Sequence, residues 1–122
     1  MSKASPVPPS IKRQVVERSA GRCERCGAPG TNIHHRRPRG MGGTSSKLIH
    51  DPTNLLVLCG SGTTGCHGWI ESHREEATNQ GWLISKMTLA LPGDVLIFDT
   101  GRWYRLHPDR WEDVTVTLDP PF

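Results

Sequence analysis

Apolar side chains are scarce in this sequence. Only 34% of its 122 residues are hydrophobic, and Ile, Leu, Val and Phe together number 25. One domain of this length buries roughly two-thirds of its unfolded surface, enough for a small core and no more. No apolar run approaches the roughly 18 residues of a membrane span, so no membrane is expected among its partners. Met1-Ser2-Lys3-Ala4-Ser5-Pro6 has no apolar stretch behind its charge. A secretory signal is therefore not expected, and the expected location is the cytoplasm. Without export, stable disulfides are not expected either, and the four cysteines read as metal ligands. Gly and Pro fill 23 positions. A chain this poor in apolar residues needs a staple, and the cysteines are the candidates.

Acidic residues are missing from one stretch. None occurs between Glu24 and Asp51, where Arg25, Arg36, Arg37, Arg39 and Lys47 all fall. Residues 1–91 hold 12 Lys/Arg against 6 Asp/Glu, and residues 92–122 hold 3 against 6. A basic body with an acidic end piece suits a polyanionic partner.

Residues 1–9 carry three prolines and read as a mobile arm. Ser10 is the expected N-cap of a helix whose stripe is Ile11, Val15 and Ser19, stopped by Gly21. Short strands are expected at residues 31–35 and 55–58, with a long loop over 36–53. A helix is expected over 67–79, ended by Gly81. Further strands are expected at 83–89, 95–98, 103–106 and 114–118, with hairpin chemistry at Asp99-Thr100-Gly101-Arg102.

Two sites emerge from the polar residues. The spacing Cys23-x2-Cys26 and Cys59-x6-Cys66 is that of a structural zinc site. Four soft thiolates close a tetrahedron and leave no open position. The second site is open. His34 and His35 are adjacent, so on a strand they point to opposite faces, one able to hold a metal and the other facing substrate or solvent. On a helix from His67, Glu71 shares the His67 face and His73 does so poorly. His34, His67 and Glu71 would leave coordination positions for water and a phosphate oxygen.

Taken together, Cys23-x2-Cys26, Ile33-His34-His35-Arg36-x-Pro38 with Gly42-Gly43, Asn54-Leu55 leading to Leu58-Cys59, and Cys66-His67 resemble the HNH endonucleases. More narrowly they resemble small phage-type HNH proteins with two zinc-binding cysteine knuckles, over about residues 10–80. The resemblance implies an α+β fold: a small zinc-stapled ββα-metal, treble-clef-like core with an N-terminal helix. With the arm over 1–9, the expected HNH nuclease domain takes 10–91, and residues 92–122, which carry no matching motif, are read as a C-terminal β extension packed on the same domain. It implies that His35 is the general base, that Asn54 fixes the loop and orients the base, and that His34 and His67 hold the catalytic ion. The chain departs from the family in having His-His where Asp-His is commoner, and Glu71 where many relatives have a further histidine. Glu71, His73 or a water is then the third ligand.

The expected activity is metal-dependent hydrolysis of DNA phosphodiesters, nicking or cutting duplex DNA with little base specificity. A neutral imidazole can accept a proton from water at pH 7. One divalent ion (Mg²⁺, Mn²⁺, Ni²⁺ or Zn²⁺) can hold a non-bridging and a leaving oxygen, beside the structural Zn²⁺. Arg36 first, then Arg37 and Arg39, with Arg74 and Lys47, are the expected phosphate contacts. DNA is the expected partner. Phage relatives imply genome packaging beside a terminase, homing or restriction, in a host bacterial cytoplasm. The alternative is a non-catalytic zinc module that binds nucleic acid or a protein.

Overall fold

The computed structural model describes residues 6–38 and 47–118, with backbone alone at 47, 117 and 118. Helix α1 spans Pro9–Ser19. Pro9 takes the first helical position, where its missing N–H leaves no bond unmade. Ser10 therefore lies inside the helix, and the N-cap is Pro8. At the other end Ala20 adopts the left-handed conformation (φ 55°), and the N–H groups of Ala20 and Gly21 return to the carbonyls of Glu17 and Val16. Of the expected arm, residues 1–5 lie outside the described residues. Val7 packs beside Val15, Leu55 and Val57, so an apolar contact fixes the segment just before the helix where a mobile arm was expected.

Strands β1 (Asn32–His35) and β2 (Leu55–Leu58) pair antiparallel, Asn32 opposite Leu58 and His35 opposite Leu55. All four residues of β2 are buried. Alternation along the strand divides them between two faces. Leu55 and Val57 meet Val15 of α1, while Leu56 and Leu58 meet Cys23, Cys66, Ile70 and Trp82 on the other side. A four-residue strand thus serves two small cores, an economical answer to a shortage of apolar residues. Between β1 and β2, residues 39–46 lie outside the described residues. The loop's remainder holds two 3-10 turns, Lys47–His50 and Pro52–Asn54.

The single helix expected over 67–79 is two helices, α2 (Gly65–Ser72) and α3 (Arg74–Gln80). The break is at His73 (φ −125°, ψ 53°), whose ring stacks on Trp69 at 4.8 Å. Glu75 and Glu76 in the first turn of α3 favour a fresh helix start there, and the new direction buries Ala77 against the Trp82 cluster. Residues 83–89 do not form the expected strand. Leu83 and Ile84 are buried, Met87 and Leu89 are exposed, and no partner strand runs beside them among the described residues.

A second antiparallel sheet follows, β3 (Ile97–Asp99), β4 (Arg102–Leu106) and β5 (Trp111–Asp113), in that order. Thr100 and Gly101, both at positive φ, make the β3–β4 turn. The strand expected over 114–118 comes earlier, as β5. Asp113 Oδ1 then accepts from the Thr115 N–H and opens a last helical turn, α4 (Thr115–Leu118). Ile97 and Leu106 share a cluster with Leu56, Leu58 and Trp82, and Trp111 packs against it. The fold is small and mixed α+β, with two small antiparallel sheets. No helix among the described residues is long and apolar enough to cross a membrane.

A buried polar knot ties these parts together. Glu24 accepts two bonds from Arg18 (2.8 and 2.9 Å), one from the Trp111 indole (2.8 Å) and one from the Val57 N–H (2.9 Å). Arg18 also donates to the carbonyls of Pro52, Leu55 and His107. One ion pair therefore reaches α1, the first cysteine turn, β2 and the second sheet.

Candidate metal centres and the cleft beside them

Cys23, Cys26, Cys59 and Cys66 come together, each sulfur within 4.8 Å of the others, and none is in a disulfide. A zinc ion bonded to four thiolates at about 2.3 Å sets the sulfurs about 3.8 Å apart. The Cys26 and Cys59 sulfurs stand at 3.6 Å. The two turns that carry the cysteines aim backbone N–H groups at sulfur: Arg25 at Cys23, Ala28 at Cys26, Cys66 at Cys59. Gly60 makes the second turn possible. It sits at φ 83°, and a Cβ there would lie 2.0 Å from the Thr64 carbonyl oxygen. Burial raises the Cys23 thiol, but the N–H groups of Arg25, Cys26 and Cys59 bring it down to about 7. Burial pushes the Cys66 thiol up to about 12, despite the Arg25 guanidinium 3.3 Å from its sulfur. Four thiols in one pocket cannot all ionise without a cation among them. The set could hold a structural metal such as zinc.

The next residue along the chain belongs to a different cluster. His67, on the first turn of α2, lies 3.8 Å from Glu71 through Nε2 and Oε2. Its ring centroid is 5.4 Å from that of His34. His34, His67 and Glu71 each offer a ligand atom within 4.8 Å of the others, a second group that could hold a metal ion. His34 is buried, and burial pushes its imidazolium down to about 4 even with the Trp82 carbonyl beside it. Its Nε2 lies 3.1 Å from that carbonyl, so Nε2 carries the proton and Nδ1 keeps a lone pair. A histidine tied by one nitrogen to a backbone carbonyl presents the other as a fixed ligand. His67 Nδ1 is buried and has no hydrogen-bond partner. An orphaned nitrogen of this kind, on a ring whose Nε2 faces Glu71, fits a site that takes an ion or a water. His73, by contrast, is exposed and bonds to Ser72 and the Trp69 carbonyl.

His34 and His35 leave β1 on opposite faces, since they stand opposite Leu56 and Leu55 respectively. His35 Nε2 lies 3.2 Å from His50 Nδ1. Asn54 is buried. Its Oδ1 accepts from the Arg37 N–H (2.8 Å), and its Nδ2 donates to the Ile49 and Arg37 carbonyls (3.1 and 3.3 Å). Asn54 thereby bolts the end of β1 to the turn that carries His50. A cleft of about 340 Å³ is lined by His34, His35, His67, Glu71 and Arg74, with Pro38 and Leu83 among the rest.

Two of the arginines expected to contact phosphate, Arg36 and Arg37, are turned into the fold instead. Arg36 has 0% exposure. Its Nε donates to Gly81, Nη1 to Thr53 and Pro92, and Nη2 to Val95, all carbonyls. A guanidinium so enclosed reaches no phosphate, and burial lowers it to about 9. Arg37 is half-buried and gives Nη2 to the Thr88 and Ala90 carbonyls. Arg39 and the Lys47 side chain lie outside the described residues. Arg74 is exposed at the cleft and donates to Glu71 Oε1 at 2.7 Å.

Sequence reasoning missed His50, Arg25 and the Trp82 carbonyl. No periodicity marks His50, fifteen residues from its partner. Arg25 carried a signal in its place between two cysteines, where a cation can face thiolates. It also lies over the Trp69 ring, 4.1 Å from the centroid. No family model matches this chain, and neither curated proteins nor solved structures give a match.

Proposed function

We propose that this protein is a metal-dependent endonuclease of the HNH type, acting on DNA, with a structural zinc at the four cysteines. The observation that carries the reading is the convergence of His34, His67 and Glu71 at one cleft that His35 also lines, with a buried, unpaired nitrogen on His67. Two nitrogens and a carboxylate form a donor set suited to a divalent ion, and three protein ligands leave positions open. An ion held there supplies positive charge to the non-bridging and leaving oxygens of a phosphodiester.

The chain's own residues do the rest. His34 and His67 supply ring nitrogens, and burial keeps the first of them neutral. Glu71, from the helix, brings a negative charge that His34 does not supply in the place of the aspartate of the commoner Asp-His pair. His35 would take the proton from water as the water oxygen bonds to phosphorus and the P–O3′ bond breaks, with the departing O3′ oxygen taking its proton from solvent water. His50 and Asn54 are positioning residues: Asn54 holds the turn that places His50 against His35. Arg74, at the cleft, is the cation best placed for a phosphate oxygen, since Arg36 and Arg37 serve the fold.

The test is cleavage of supercoiled plasmid with Mg²⁺, Mn²⁺, Ni²⁺ or chelator, with His35→Ala alongside. Removing a general base lowers the rate by roughly 10²–10⁴-fold, and bound zinc and the melting temperature should stay as in the wild type. His67→Ala should lose activity that excess ion partly restores. A wild-type protein inactive with every ion would leave the zinc-module reading in its place.

A further inference from the structure

The cleft does not end at Arg74. A second depression, of about 400 Å³, shares Pro38, Arg74 and Leu83 with it and continues along α3 to Ser85 and Lys86. The two form one trough from the His34–His67–Glu71 group outward. Its rim carries Thr78 and Asn79 on α3, and Lys86 on the facing segment. Glu75 is the one acid lining the outer part, against Arg74 and Lys86.

The wall formed by residues 81–90 has no strand partner among the described residues, yet it is fixed at several points by β1 and the residues after it. The Trp82 carbonyl meets His34, and the Ile84 N–H donates to the Arg36 carbonyl at 2.8 Å. The Arg36 side chain holds the Gly81 carbonyl, and Arg37 holds those of Thr88 and Ala90. Each attachment comes from the run that begins at the candidate ligand His34. The trough is therefore registered to the site residue by residue. A structural need to cover the core explains Leu83 and Ile84. It does not explain a groove with Arg74 where the two depressions meet and Lys86 farther out, leading away from a ligand cluster.

We infer that this trough carries one strand of DNA away from the phosphate at the cleft, with Arg74 on the nearer phosphate and Lys86 on a farther one. A groove whose outer part sets two cations, Arg74 and Lys86, against one acid, with Thr78 and Asn79 on its rim, can follow a backbone without reading sequence. The inference rests on the nuclease reading for the identity of the strand, but its test does not depend on cleavage.

The experiment measures the affinity of the zinc-loaded protein for a fluorescein-labelled single-stranded 12-mer and for its duplex, by anisotropy, over a range of salt without added divalent ion. Lys86 is exposed, so Lys86→Ala should fold as the wild type does. Each lost phosphate contact flattens the slope of log K against log salt by about 0.7 for single strands and 0.9 for duplex. Lys86→Ala and Arg74→Ala should each do this, and the double variant should lose both increments. Glu75→Gln should bind more tightly than wild type, since it removes the one acid lining the outer part of the trough. Arg13→Ala removes an exposed cation from α1, across β2 from the trough, and should leave the slope unchanged. A wild-type slope in Lys86→Ala, or equal flattening by Arg13→Ala, overturns the trough, as does a wild type that does not bind DNA. A flattened slope in a protein that cleaves no plasmid with any ion would sustain the trough and remove the nuclease reading.

Discussion

Cys66 and His67 are consecutive, yet they serve two unlike clusters. Cys66 is buried and faces three other sulfurs, each supported by backbone or Arg25 donors. His67 is partly exposed, faces one histidine and one carboxylate, and opens on a cleft. A closed set of four thiols around an ion would leave no position for a reactant, which suits a structural metal. An open set of three mixed donors at a cleft can hold an ion and something else besides. The first turn of α2 rotates successive side chains by about 100°, which is enough to send neighbours to different sites.

Removing the cysteine centre should produce the largest effect. Structural zinc contributes of order 10 kcal/mol to such folds, more than a small domain's whole stability. Cys59→Ser, or chelation of the wild type, should abolish the cooperative thermal transition seen by circular dichroism. Elemental analysis should give one zinc per chain from the cysteines. Folded, zinc-free protein would break the comparison at its stronger end.

Next in size is Arg36→Met. It removes the guanidinium that pairs four carbonyls, each costing about 1–3 kcal/mol if left buried and unpaired. A loss of about 3 kcal/mol or more is expected in denaturant melts, with bound zinc retained in the folded fraction. An unchanged midpoint, with weaker DNA binding, would instead restore Arg36 to the phosphate role its sequence position suggested.

The smallest effect sharpens the open cluster. Glu71→Ala should weaken binding of the second ion by roughly tenfold, as removal of ligands and their supports does. His73→Ala should leave it unchanged, because His73 is turned onto Trp69. Calorimetric titration of Mn²⁺ or Ni²⁺ into zinc-loaded protein separates the two variants, and equal losses would place His73 in the cluster.

Much of this was legible before any coordinates. The Cys-x2-Cys and Cys-x6-Cys spacings give the closed cluster because short turns force their cysteines to converge. The i,i+4 relation of His67 and Glu71 needs only a helix, and the opposite faces of His34 and His35 need only a strand. Segments of weak local preference were not legible. Residues 83–89 have the composition of a strand but meet no partner strand, and side chains of His34, Arg36 and Arg37 hold their neighbourhood instead. The helix break at His73 depends on the packing of Trp69 and Ala77, which no short window of sequence contains.

Which residues could be ligands follows from donor chemistry and short-range spacing, which are local properties, and the small core follows from composition. Where the charges go is set by the fold. Arg36, Arg37 and Arg74 are alike in sequence, but solvation and the supply of unpaired carbonyls differ at each. Arg36 is enclosed because Gly81, Thr53, Pro92 and Val95 turn four carbonyls toward one buried point. Those carbonyls come from three separate stretches of chain, and bringing them together is a property of the fold alone.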